Sequence, residues 1–185
     1  MVKDFDSPDE LTGWLKENGI DTAVWGTGVF KTIANLWNEY VQGEVCFETD
    51  PPLRMVQVVQ VLIQHDDTTL IEVEQVFSNG KRRHRNQPPS EKIKPSEISM
   101  DAAYRCLNEE LGLSRDQVSL MAADHEREEI VTDSPSYPGL PTRYTIQKIR
   151  AHATGLPAED FWRENAAARE GDPVSRHLWA WREQW

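Results

Sequence analysis

The sequence predicts an α/β fold preceded by a short helical N-terminal extension, and three observations carry that prediction. Two Val- and Ile-rich stretches, Arg54 to Gln64 and Leu70 to Phe77, alternate apolar and polar residues at the period of a strand. A helix bearing carboxylates on one face follows, from about Ser99 to Leu111, with Gly112 as its stop. Two capped amphipathic segments stand ahead of both, within residues 1–50. With 185 residues and 38% hydrophobic content, the chain is long enough for one well-cored domain. Residues 51–185 are expected to form it, with 1–50 packed on its surface.

Ser7-Pro8-Asp9-Glu10 supplies a capping serine, a proline at the first helical position and a glutamate at the third, and Gly19 ends the stretch. A second apolar-periodic stretch runs from Val29 through Ile33, Leu36, Trp37 and Tyr40 to Gly43. Gly26-Thr27-Gly28 before it lacks a third glycine and a following Lys-Ser/Thr, so it reads as a turn rather than a phosphate loop. Asp66-Asp67 and Asn79-Gly80 are turn signals on either side of the second strand. Glu72 and Glu74 share one face of that strand, and a solvated face is the expectation for the pair.

Past the helix, 118–121 and 129–132 read as strand pieces, and the proline-rich loop 133–141 is unsuited to a sheet interior. Thr142 to Ala153 reads as a long strand, and Ala158 to Arg169 as a polar helix. The tail from His177 to Trp185 alternates aromatic and polar residues, which predicts an edge strand.

A formal net charge of -11 argues against a duplex nucleic-acid binder and against binding to an anionic membrane. The basic run Lys81-Arg82-Arg83-His84-Arg85 is the exception; it meets a phosphorylated ligand, or it is a solvated hairpin loop. Only Cys46 and Cys106 are present, and free thiols are expected. No apolar run approaches a membrane span and the start lacks the apolar core of a secretory signal, so the expected location is cytoplasmic. The five histidines show no ligand spacing within any one element and are expected to be surface or satisfied residues.

The chemistry concentrates between Glu91 and Leu113. Cys106, Glu109 and Glu110 fall at i, i+3 and i+4 on one helical face, where two adjacent carboxylates can hold a hard divalent cation. With Glu97, Arg105, Leu107, Gly112 and Leu113 in register, the segment resembles the Nudix motif: Gly, five residues, Glu, seven residues, Arg-Glu, an aliphatic, any residue, Glu-Glu, any residue, Gly and an aliphatic. Two positions depart from it. Glu91 stands at the opening glycine and Cys106 at the first glutamate of the metal face. Pro88-Pro89-Ser90-Glu91-Lys92 likewise resembles the family's Leu-Pro-Gly-Gly-Lys approach without its glycines.

The resemblance, which covers roughly 53–155, implies an α/β/α sandwich with a mixed sheet. It also implies cleavage of a nucleoside diphosphate or related diphosphate with Mg²⁺ or Mn²⁺. Glu109 and Glu110 would be the catalytic and metal-binding carboxylates, with Glu91 as a further ligand and Glu97, Arg105 and Gly112 as structural motif residues. Cys106 is a soft, largely neutral ligand that weakens such a site, and a glutamate in its place would be expected to strengthen it. Arg83, Arg85, Tyr137 and Arg143 are the candidate substrate-binding residues, for a small phosphorylated ligand. Two alternatives stay open: a non-hydrolytic protein that binds a ligand or partner, and metal-independent acid-base chemistry on a small metabolite with Glu109 or Glu110 as base. The tryptophans of the extension, Trp14, Trp25 and Trp37, could cover the pocket or form a homodimer surface.

Overall fold

The computed structural model describes residues 1–166 and 174–184, and the side chains of all of these except 122–125. The chain divides into two compact units, one made of Met1–Gln57 with Glu128–Thr145, the other of Val58–Arg127 with Ile146–Trp185. The α/β class is the one expected. The paired strands whose register is known are antiparallel, and three α-helices accompany them among the described residues.

In the first unit, helix α1 (Pro8–Glu17) starts where Ser7 Oγ accepts the Glu10 amide at 3.2 Å. Helix α2 covers Ile33–Val41, shorter than the expected 29–43. Gly26 and Gly28 take positive φ, and the Gly26 amide closes a turn onto the Lys31 carbonyl, so Val29 and Phe30 belong to that turn. Thr32 and Asn35 then cap α2 reciprocally. Strands β1 (Val2–Lys3), β2 (Cys46–Thr49) and the start of β3 (Pro52–His65) pair in order. Phe5, Trp14, Tyr40 and Phe47 pack mostly edge-to-face behind them.

Glu39 is buried in this unit and satisfied three ways: Arg54 at 2.8 Å, Lys31 at 3.0 Å and the Tyr137 hydroxyl at 3.0 Å. Tyr137 is fully buried beneath Trp25 and next to the Arg54 guanidinium. Burial, then the Glu39 charge, push its phenol pKa well up, so it stays a neutral hydrogen-bond donor. Arg143 pairs with Glu48 at 3.0 Å.

The second unit is built on β3 and β4 (Thr68–Phe77), joined by a tight turn in which Asp66 has a positive φ. Strand β5 (Arg82–Gln87) pairs with β4, and β6 (Ser90–Lys92) pairs with β3. The basic run is therefore mostly strand rather than loop, because Asn79-Gly80 makes the turn early and returns the arginines alongside β4. Helix α3 (Ser99–Leu111) lays Ala103, Cys106, Leu107 and Leu111 into a core with Val61, Ile149 and Trp179. Leu107 and Leu113 face this core, as the motif register requires.

Strand β7 runs unbroken over Val118–Asp133, where two pieces were expected, and β8 (Pro141–Ala153) pairs with β3 and β7. Two further expectations fail. The segment expected as a helix over 158–169 contains strand β9 (Phe161–Glu164), with 167–169 outside the described residues. It pairs with β10 (Val174–Arg182), and Phe161 packs against the core, a tertiary gain that overrides its polar helical composition. The tail strand β10 is no edge, since β4 flanks one side and β9 the other.

Gly112 ends α3 in the left-handed region at φ +65, and its amide returns to the Asn108 carbonyl at 2.8 Å. The Arg163 guanidinium lies directly over it, where a Cβ would stand. Gly112→Ala should therefore cost about 1–2 kcal/mol from the positive φ alone, with displacement of Arg163 in addition. Urea unfolding of wild type and variant measures it; an unchanged midpoint would contradict this view of the helix stop.

Candidate functional site

Arg105 organises the motif segment. Its Nε and Nη2 donate to the two oxygens of Glu97, each at 2.9 Å, and Nη2 also donates to the Lys92 carbonyl at 2.8 Å. Its Nη1 lies 3.4 Å from Glu109 and 3.6 Å from Glu91. Glu97 also accepts the Lys94 amide at 2.9 Å, which closes the loop in which Ser96 takes a positive φ. The Arg105 hydrogen bond holds Glu97 below the usual carboxylate range, although burial opposes it. Glu91 goes the other way: burial raises its pKa, the Lys92 amide and Arg105 offset part of the rise, and the Glu109 charge adds to it.

Glu109 and Glu110 are neighbours in sequence with different partners. Glu109 turns to Arg105, while Glu110 Oε2 lies 3.9 Å from His177 Nδ1 on β10. His177 Nδ1 makes a short contact with Glu72 on β4, and Glu72 also takes the Arg85 Nε at 3.1 Å. Glu72 is 5% exposed and His177 5% exposed, so this is a buried pair. Burial is the largest influence on Glu72 and acts to raise it, but the His177 hydrogen bond and the Arg85 charge together prevail and hold it below the usual range. An ionised carboxylate only accepts hydrogen bonds, so Nδ1 is the nitrogen that carries the hydrogen. The His177 ring stacks near Trp179, with centroids 6.2 Å apart. Burial pushes Glu110 up to about 7; His177 opposes the rise, while Glu72 and Glu91 add to it.

The structure thus brings Glu91, Glu97, Arg105, Glu109 and Glu110 into one neighbourhood of the second unit. Cys106, expected to stand with the glutamates on an open face, is fully buried in the core, its thiol pKa raised by burial and by the nearby Glu110 and Glu91 charges. Arg85 is engaged by Glu72 and Gln87; Arg83 is engaged by Gln75 and lies over the Phe77 ring. Tyr137 and Arg143 belong to the first unit, with the partners described above.

Glu72 and Glu74 do not form a solvated face: they are 5% and 9% exposed. Their charges are met from the neighbouring strand by Arg85 and Arg82. Glu72 and His177 are the site residues that sequence reasoning passed over. The available signal was two carboxylates inside an otherwise apolar strand, Leu70-Ile71-Glu72-Val73-Glu74, which demand buried partners.

The Mg²⁺ or Mn²⁺ that the motif implies does not fit this donor set. Among the described residues no group of three His, Cys, Asp or Glu side chains is placed to hold an ion. Glu91 and Glu109 both face a guanidinium, and the third motif position is a thiol sealed in the core.

No family model matches the chain, and no curated protein matches it. Among solved structures it is similar to an Ap4A hydrolase binary complex from C. elegans, at 15% identity and TM-score 0.38, over 68% of this chain and 77% of that one. It is also similar to a NUDIX hydrolase from Nitrosomonas europaea, at 17% identity and TM-score 0.39, over 67% and 70%. A third is a NUDIX-family hydrolase from Clostridium perfringens, at 16% identity and TM-score 0.39, over 68% and 79%. No helix among the described residues is long and apolar enough to cross a membrane.

The raised pKa of Glu110 has a stability consequence whose sign follows from proton linkage. Between the ordinary 4.5 and about 7 the folded state binds more protons here than the unfolded one, so this group's contribution falls as pH rises through that window. Glu110→Gln removes the ionisable group. Its stability relative to wild type should rise between pH 4.5 and pH 8, by about 3 kcal/mol in total. Denaturant titrations at several pH values give the difference directly, and a pH-independent difference would contradict the burial of this carboxyl.

Proposed function

We propose that this chain is a Nudix-like protein that performs metal-independent acid-base chemistry on a small metabolite, with Glu110 as the proton acceptor. The observation that supports the reading is the placement of Glu110 beside the buried His177–Glu72 pair, away from the guanidinium that engages Glu109. A carboxyl that burial pushes up to about 7 suits a group that takes a proton in one step and returns it in another. Glu72 and Arg85 hold the imidazole orientation, and the imidazole supplies the polar neighbour that steadies Glu110 when it ionises. The Trp179 ring lies alongside the imidazole, with centroids 6.2 Å apart.

A second reading, diphosphate hydrolysis of a phosphorylated ligand with Mg²⁺ or Mn²⁺, draws support from carboxylates close enough to repel: the Glu109 charge adds to the raised pKa of Glu91, and the Glu91 charge to that of Glu110, although among the described residues a third ligand for the ion is missing.

The two readings part in one experiment: a panel of small metabolites and nucleoside diphosphate derivatives, followed by NMR in EDTA and again in Mn²⁺. On the first reading turnover persists in EDTA, and Glu110→Gln lowers kcat by about 10²–10⁴ with KM little changed. Turnover that requires Mn²⁺ and responds equally to Glu109→Gln would replace it with the second.

A further inference from the structure

We propose that the face of β5, β4, β10 and β9 turned away from α3 carries a second binding site, at which Trp162 and Arg176 take a planar aromatic ring bearing a phosphate, a ligand of mononucleotide size. Phe161 packs into the core that α3 covers, so Trp162 beside it on β9 points to the opposite side of the sheet. On β10, His177 faces Glu110 of α3, which turns its neighbour Arg176 the same way as Trp162. The strand registers then place Arg176 and Arg82 in one row across this face, either side of Val76. Trp162 and His84 stand at the two ends of the next row. All of these residues belong to the second unit.

Two features of the pair point to a ligand. Trp162 is 41% exposed, which holds a large apolar plane against water, and the Arg176 guanidinium lies over it at 4.5 Å from the ring centroid. Elsewhere in this unit Arg82, Arg85, Arg115 and Arg182 each meet a carboxylate, at 2.9, 3.1, 2.6 and 3.1 Å. Arg176 meets none at such a distance among the described residues, although Glu164 stands across from it in register. A guanidinium held flat by an indole keeps its N–H donors directed outward in its own plane, the arrangement that grips phosphate oxygens in pairs. The exposed indole surface takes a stacked ring, and a phosphate on that ring reaches the donor edge of Arg176. Glu74, the other carboxylate of this face, is offset by Arg82 and so does not oppose the anion. A formal net charge of -11 repels a long polyanion, which favours a single phosphorylated ring over a nucleic-acid strand.

Binding of adenosine 5′-monophosphate in EDTA at low ionic strength, followed by calorimetry and by NMR of the indole N–H signals, tests this. Wild type should bind the probe with a Kd on the order of 0.1–1 mM, and adenosine or inorganic phosphate alone at least about tenfold more weakly. Trp162→Ala should weaken binding at least about fivefold, while Trp162→Phe, which keeps a ring, retains most of it. Arg176→Gln should weaken it about tenfold and remove most of its salt dependence. Glu110→Gln should bind the probe as wild type does. No saturable binding by wild type, or equal affinity in wild type, Trp162→Ala and Arg176→Gln, would overturn the proposal. So would loss of binding in Glu110→Gln, which would put the probe on the α3 side of the sheet. A single-stranded oligonucleotide that binds more than about tenfold tighter than the monophosphate would overturn the choice of a mononucleotide. The acid-base reading is tested separately, since neither Trp162 nor Arg176 takes part in it.

Discussion

The contact between the Arg105 guanidinium and the carboxylates around it is the constraint on which the rest of the second unit's site depends. It joins the loop after β6 to the middle of α3, and so fixes where both ends of the motif segment stand. A lysine could not do this, because a single ammonium point cannot grip both oxygens of Glu97 while reaching a backbone carbonyl and two further glutamates. Partial burial strengthens each bond, since the surrounding dielectric is lower than water, and it also makes every unmatched charge costly. The cluster shows both effects. Glu97, gripped by two hydrogen bonds from Arg105 and one from the Lys94 amide, is held below the usual carboxylate range, while Glu91, half-buried and 3.6 Å from Arg105, is pushed toward its neutral form.

The same helix separates two carboxylates that the sequence leaves side by side. Consecutive helical residues point about 100° apart, so Glu109 and Glu110 meet different neighbours. Glu109, four residues after Arg105, lies one turn above it on the same stripe. Glu110 is rotated toward β10 and meets His177. One adjacent pair thus yields a carboxylate committed to an ion pair and another whose pKa is lifted by burial. Divergent environments for neighbouring carboxyls are a common basis for dividing acid and base roles.

The sequence made local features legible and left non-local ones hidden, for physical reasons visible in particular residues. The helix Ser99–Leu111, its Gly112 stop and strands β3, β4 and β8 follow from period and turn chemistry, which are written within a few residues, whereas the Glu97–Arg105 pair was expected from the motif resemblance. Strand β9 was missed because its helical composition is overruled by pairing with β10. The tail's alternation is real, but an alternating strand takes an edge or an interior place according to what pairs beside it, and β9 supplies that from elsewhere in the chain. Period 2 also shows which side chains share a face without showing whether that face is wet. Glu72 and Glu74 appeared solvent-facing because their partners, Arg85, Arg82 and His177, are brought to them by β5 and β10.

Cys106 marks the point where motif matching and packing give different answers. By spacing it belongs with Glu109 and Glu110, yet its side chain ends in the core with Ala102, Ala103 and Leu107. An ionised carboxylate there would lose its hydration beside Glu110 and Glu91, two groups already raised in pKa, and would add a third like charge to them. A glutamate buried at 106 would therefore favour its protonated form or force the core open. A neutral thiol avoids both costs and fills the volume as a small apolar group. The thiol therefore fits a core beside which the negative charge is kept to carboxylates that Arg105 and His177 contact.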